Sequence, residues 1–419
     1  MSIDRRILAW LLACGLLPVM TTAILSPSLA GLHEEFQAEA QVDVFAKLVL
    51  TSPALAIALG AGAVGILLDR LGRLPILGLS LLGFAVFGCY GYWAEELTHL
   101  IAGRFLFGFA VAGIMTTTAT LLADVSEGRE LRRVLGLQAA LMGVWGITAQ
   151  TIAGWMAEWH WRGPFLLYSI SLPLLVWMLF LHNIRVSAPQ SSPGEETPTY
   201  ASSRRMMALV ILLSVVAMSL FSLVPVHGPL FFKQVLHRGP RGTAFLISSL
   251  TAASSLSSLS LAVWRRHMRT EHLILLGFFS ITASCLLMGM VPQFWVVWIA
   301  MLAMGMGIGL VVPCLQSWTA QRVGASGRGR ALGFLTSANY IGQFLCPFWA
   351  HYFLARGGHL TLFQACTWIG AFFTLGVGVM AWIRAWPDEG LTLAQGVAVP
   401  SVQELRSETP SDEIGKKSS

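Results

Sequence analysis

The stretch Gly65-Ile66-Leu67-Leu68-Asp69-Arg70-Leu71-Gly72-Arg73-Leu74 joins two apolar runs, residues 48–68 and 74–93. Each run is close to the roughly 20 residues that an α-helix needs to cross about 30 Å of hydrocarbon. The charged turn between them has to stay in water. Runs of this length satisfy their backbone inside lipid only as helices, since a barrel strand is about ten residues long with strict alternation. The stretch therefore reads as two membrane helices joined by a tight polar turn.

Outward from this turn the pattern recurs, with further spans at 7–30, 97–123, 134–157, 164–184, 206–226, 243–264, 272–290, 294–318, 331–352 and 360–383, which makes twelve. The composition agrees: 55% of residues are hydrophobic, 11% are charged and mean hydropathy is +0.68, values that a water-soluble domain of this length does not reach. The expected fold class is an all-α membrane protein of twelve transmembrane helices. Arg5 and Arg6 precede the first run as in a secretory leader. That run is too long for a leader's apolar core, and Pro18 and Pro27 interrupt it, so it reads as an uncleaved first helix.

Twenty of the 27 Lys and Arg fall on the side holding the 2–3 turn and both termini, while Lys47, Arg162, Lys233, Arg238, Arg241 and Arg356 fall on the other. The positive-inside rule then predicts that both termini are cytoplasmic. The net charge of +6 is spread over many short loops, so it marks topology and gives a nucleic acid no basic domain to bind. Six cysteines (Cys14, Cys89, Cys285, Cys314, Cys346 and Cys366) lie in or beside spans without metal-ligand spacing and read as packing residues. The sequence suggests no metal, cofactor or catalytic residue, and no H-E-x-x-H, G-x-S-x-G or G-x-x-x-x-G-K-[ST] pattern occurs.

The expected organisation is an N-terminal six-helix bundle (1–184), a cytoplasmic Ser/Pro/Glu-rich linker (185–205), a C-terminal six-helix bundle (206–384) and a polar tail (385–419). An internal echo relates the halves: Arg133-Val-Leu-Gly136 in the 4–5 connection answers Arg330-Ala-Leu-Gly333 in the 10–11 connection. Related halves place a substrate cavity at their interface near the bilayer midplane, which favours a transporter over a channel or receptor.

With these features in place, the 2–3 turn resembles the signature loop G-x-L-x-D-R-x-G-R-[RK] of the major facilitator superfamily, departing only at Leu74. The resemblance covers nearly the whole chain and implies two pseudo-symmetric six-helix bundles. It also implies a conformational latch built from Gly65, Asp69, Arg70, Gly72 and Arg73, with Asp69 near the start of helix eleven around Arg330; the plain alternative is a solvated polar turn. Physically, Gly65 would let another helix approach and Gly72 would permit a tight turn. A carboxylate beside a helix N-terminus and an arginine is favourable.

Arg104 is the one full charge well inside a span. Arg104-Phe-Leu-Phe107-Gly108 resembles the family's R-x-x-Q-G motif, with Phe107 in place of Gln. The resemblance implies contact with an anionic substrate group or tuning of a proton site; the plain alternative is snorkelling to the outer interface. Helix five departs from the exporters' G-x-x-x-G-P-x-x-G-G, since Gln150 stands where Pro is expected, though Gly143, Gly146 and Gly154 still offer a close-packing face. Gln138 and Gln150 either line the cavity or bond between helices, and Asn339, Tyr340 and Gln343 on helix eleven are further candidates. Helix eight is rich in hydroxyls, and helix ten carries Gly305, Gly307 and Gly309 beside Met301, Met304 and Met306; both patterns suit either ligand contact or packing. No carboxylate lies at mid-span, so the sequence singles out no proton-coupling residue; His227, near the outer end of helix seven, either titrates near physiological pH or serves as an interfacial anchor.

These readings imply a proton-coupled secondary transporter in a bacterial inner membrane, working as a monomer among lipids. It would export an amphipathic organic compound, drug-like or siderophore-like. A proton-coupled importer of a small metabolite is the second reading, and a membrane receptor or intramembrane enzyme the distant third.

Overall fold

The computed structural model describes residues 5–39, 41–126, 128–180, 204–323 and 325–382. The linker at 185–203 and the tail at 385–419 lie outside these residues. All regular structure among the described residues is helical: α1 (Arg5–Glu35), α2 (Val42–Leu71), α3 (Arg73–Cys89), α4 (Leu97–Val125), α5 (Gly128–Trp159), α6 (Gly163–Phe180), α7 (Arg204–Gln234), α8 (Pro240–Trp264), α9 (Thr270–Met290) and α10 (Phe294–Arg322). The last stretch, Ala325–Trp382, is two helices, because Gly357 and Gly358 leave helical geometry and Gly358 sits at φ +68°. Residues 325–356 form α11 and residues 359–382 form α12. Each of the twelve expected spans thus coincides with a helix.

Helix ends differ from expectation where proline or charge misleads. The seventh span, predicted to stop at 226, runs through Pro225 and Pro229 to Gln234. Proline is tolerated inside membrane helices when neighbouring helices re-satisfy the freed carbonyls, and here Ser26 Oγ donates to the Pro225 carbonyl at 2.6 Å. The second span, predicted from 48, begins at Val42 and carries Lys47 inside the helix, fully buried. The charge count places Lys47 with the outer loops; the tertiary fold covers it.

Two apolar cores form, one in each half. Trp10, Phe84, Phe107, Phe165 and Tyr168 anchor the first, and Phe232, Phe278, Met301, Met304 and Trp318 the second. Within the C-terminal half α10 packs closely on α8 and α9: a Cβ on Gly305 would lie 2.2 Å from the Leu250 carbonyl, and one on Gly309 2.4 Å from that of Ser254. The hydroxyls of Ser257, Ser258, Ser280 and Ser284 donate to α10 carbonyls. The glycines of helix ten, the buried Met301 and Met304 and the hydroxyls of Ser257 and Ser258 on helix eight therefore serve packing, since small residues let membrane helices approach and hydroxyls bond across them. Five of the six cysteines are buried.

Across the halves, α2 faces α11 and α5 faces α8. Contact is concentrated at the end carrying the 7–8 and 11–12 turns, called outer here. There Glu158 pairs with Arg241 at 3.3 Å and Glu34 pairs with Lys233. At the opposite, arginine-rich end, Gly62, Gly65, Gly136 and Gly333 meet no other atom of the described residues within 4 Å of a Cβ position. The halves converge at the outer end and diverge at the arginine-rich end.

Candidate functional site

Between the halves lies a cavity of about 410 Å³. Proline shapes one wall: Pro18 opens a 3-10 turn in α1, and Thr21 Oγ1 bonds back to the Pro18 carbonyl at 2.6 Å, which brings Thr21 and Thr22 to the lining. The same wall gains Met115 from α4 and Gln150 from α5; Met218, Phe221 and Pro225 of α7 face them, with Thr336, Asn339, Tyr340 and Gln343 of α11.

Two of the amides in this cavity, Gln150 and Gln343, bridge the halves. Gln150 Oε1 accepts from Ser248 Oγ at 3.3 Å and Thr251 Oγ1 at 3.2 Å. Gln343 Nε2 donates to Thr22 Oγ1 at 2.8 Å, and Tyr340 Oη donates to Met115 Sδ at 3.3 Å. Asn339 Oδ1 accepts from Ser214 Oγ within the C-terminal half. Beside these bonds, the stripe Gly143, Gly146 and Gly154 on α5 packs on Ser255, Thr251 and Ala244 of α8. Gln150 thus both lines the cavity and bonds between helices. The described lining carries no charged side chain and mixes amides, hydroxyls, thioethers and aromatic faces, the surface expected to hold an uncharged or amphipathic organic molecule.

The other candidates stand elsewhere. Arg104 is buried in the N-terminal core and faces neither cavity nor interface. Its Nε donates to the Val49 carbonyl at 3.1 Å, Nη2 donates to the Thr21 carbonyl, and its guanidinium lies 4.4 Å from the Phe107 ring centroid and 5.3 Å from that of Tyr168. It ties α1, α2, α4 and α6 together; Phe107, where the motif has Gln, supplies a cation–π face. Gln138 is half-buried over Gly15 of α1 and is not among the cavity-lining residues.

In the 2–3 turn, Gly72 adopts φ +83° and caps α2, as the expected tight turn requires. Arg73 pairs with Asp124 of α4, Arg70 is exposed and Arg330 is exposed at the start of α11. The side chain of Asp69 lies outside the described residues. Gly65, expected beside another helix, faces open space because the halves are apart at this end.

Sequence reasoning missed the burial of two residues, Lys47, counted with the outer margins, and His227, taken as either a titrating group or an anchor at the interface. Lys47 Nζ is fully buried without a hydrogen-bond partner among the described residues, and His227 is 2% exposed, with both ring nitrogens likewise unpartnered among them. The one signal available for Lys47 was its position between Ala46 and the apolar run at 48–50; for His227, it was the flanking pair Pro225 and Pro229.

Comparison with known proteins agrees with this architecture. The family model described as Major Facilitator Superfamily matches residues 11–347, and again 229–407. The class E tetracycline resistance protein of Escherichia coli is 26% identical over 341 residues, covering 79% of this chain and 84% of that protein. Among solved structures, a D-xylose-proton symporter matches with TM-score 0.71 at 14% identity, over 90% of this chain and 97% of that one. The nucleoside transporter NupG matches with TM-score 0.72 at 12% identity, over 88% and 98%. At such identities the structural likeness is one of fold.

Proposed function

The chain belongs to the major facilitator superfamily, and from that premise we propose that it is a proton-coupled exporter of an uncharged or amphipathic organic compound, working by alternating access. The observation that carries this reading is the cavity between the halves, lined by Gln150, Asn339, Tyr340 and Gln343 among apolar side chains and sealed at the outer end. Rocking of one half against the other would break the outer contacts and expose the same residues to the opposite side. The similarity to a tetracycline resistance protein supports a drug-like substrate and the outward direction. Because Arg104 is engaged inside the N-terminal core, an anionic, siderophore-like substrate draws no support from it.

In this reading both termini are cytoplasmic in a bacterial inner membrane, the protein acts as a monomer, and residues 1–184 and 206–384 are the moving bodies. Asp69 and Arg330 would meet when the arginine-rich end closes, latching the outward-open state.

Inverted membrane vesicles with an acidic interior test the proposal, with tetracycline and a panel of neutral amphipathic compounds as probes. Uptake of at least one probe that collapses with the pH gradient is expected. Gradient-driven accumulation only in right-side-out vesicles would replace export by import. Indifference of every probe to the gradient would overturn proton coupling.

A further inference from the structure

Near the outer end a group of buried nitrogens has no hydrogen-bond partner among the described residues: Lys47 Nζ on α2, both ring nitrogens of His227 on α7, Nδ1 of His351 on α11 and Nδ1 of His359 at the start of α12. The two central residues are the most enclosed, Lys47 at 0% and His227 at 2% exposure. They come from opposite halves of the molecule. His227 lies within electrostatic range of Lys47, His351 and His359, and Lys47 within range of Asp43 and Cys346. Cys346 is a free, buried thiol, and three further groups around them are engaged. Asp43 bonds to His33 at 2.8 Å, Glu34 pairs with Lys233, and His359 Nε2 meets Gln234 Oε1 at 3.1 Å. None of these residues lines the central cavity.

Buried polar groups are almost always paired, and an ionisable residue inside a membrane bundle is a functional candidate by default. Packing alone would favour apolar side chains at both positions. We propose that Lys47 and His227 form a proton-binding site of this transporter, enclosed in the outer seal and hydrated when the halves part there. The proposal rests on the proton-coupled reading above and assigns the residues that carry the proton.

With the outer end open, the His227 imidazole takes a proton from outer water and a second ring N–H bond forms. Closure then brings two cations, imidazolium and ammonium, together across the interface at low dielectric, where their repulsion is strong. The seal forms when that N–H bond breaks and the proton passes to water in the central cavity, whose wall residue Pro225 stands two positions before His227 on α7. One proton thereby moves inward for each opening and closing of the outer end. The scheme needs no embedded carboxylate.

The test reads the outer seal directly, in full-length protein in lipid nanodiscs. Spin labels go at Trp93→Cys and Trp295→Cys, both exposed, one in each half, with half-buried Cys89 replaced by Ser. The label distance is followed between about pH 5.5 and about pH 8.5, the range over which histidine titrates. In the parent, acid should shift the distribution to longer distances. His227→Gln and Lys47→Met should lose that shift, and Lys47→Arg should keep it. Each variant is checked for helix content and monodispersity, with His227→Asn and Lys47→Gln as replacements for one that fails to fold. A parent without a pH-dependent shift, or variants that keep it unchanged, would overturn the site. The readout needs no substrate, so an intact shift alongside failed vesicle transport would retire the export reading and leave the site standing.

Discussion

Glu158 of α5 and Arg241 of α8 pair at 3.3 Å, Nε to Oε2, across the outer end of the two halves, about one helical turn beyond Gly154, whose Cβ position would lie 2.3 Å from Ala244. An ion pair and a close helix contact therefore close the same seam, and both must be undone when the halves part.

Half-exposed ion pairs are worth about 0.2–1 kcal/mol, so Glu158→Gln should raise the outward-open population by up to about five-fold. The exchanged pair, Glu158→Arg with Arg241→Glu, should restore it. A cysteine at cavity residue Thr22, probed from outside with a membrane-impermeant thiol reagent, measures the change.

Gly154→Leu should act more strongly. Overpacking costs about 1–3 kcal/mol, and here the cost falls on the outer-closed state alone. Transport should drop with normal membrane insertion, while Gly136→Leu, at a position with no neighbour within 4 Å among the described residues, should leave the outer seal unchanged in the same thiol-accessibility assay.

Arg104 should behave as a structural clasp. Arg104→Gln removes charge-assisted bonds to the carbonyls of Thr21 and Val49 and the contact with Phe107, a loss on the order of 2 kcal/mol. Arg104→Lys should be intermediate, because it keeps a cation without the planar fork. A lower Tm in detergent with unchanged substrate affinity is the expected result; weakened affinity at full stability would return Arg104 to the binding site.

Within the cavity, Gln343→Ala and Asn339→Ala should each weaken binding of a transported probe by about two- to tenfold, the range of one hydrogen bond. Equilibrium binding to purified protein measures it. The half-buried Gln138, which is not among the lining residues, serves as the control, and Gln138→Ala should leave affinity unchanged.

If Asp69 latches the arginine-rich end as proposed, Asp69→Asn should abolish most transport at near-normal expression, because it removes the charge without changing shape. Full transport by a well-expressed variant would remove the latch.

Local pattern along the chain was enough to determine the helices and their turns. Twelve apolar runs force twelve helices because lipid offers the backbone no partners. The Gly72 turn and the glycine face of α5 were legible because glycine marks turns and close approach, and the break after α11 was legible as the interval between two apolar runs. Gln150, Asn339, Tyr340 and Gln343 were legible as polar residues that had to face something other than lipid. What those residues face was decided only by the tertiary structure. Arg104, conspicuous as a lone charge, is absorbed by carbonyls 55 and 83 residues away in the chain. Lys47, inconspicuous at the margin of a span, is enclosed by helices from the other half. The physical reason is that burial is a property of the assembled bundle: hydropathy along one helix reports entry into lipid, whereas which flank of that helix meets water, lipid or another helix depends on partners far away in sequence.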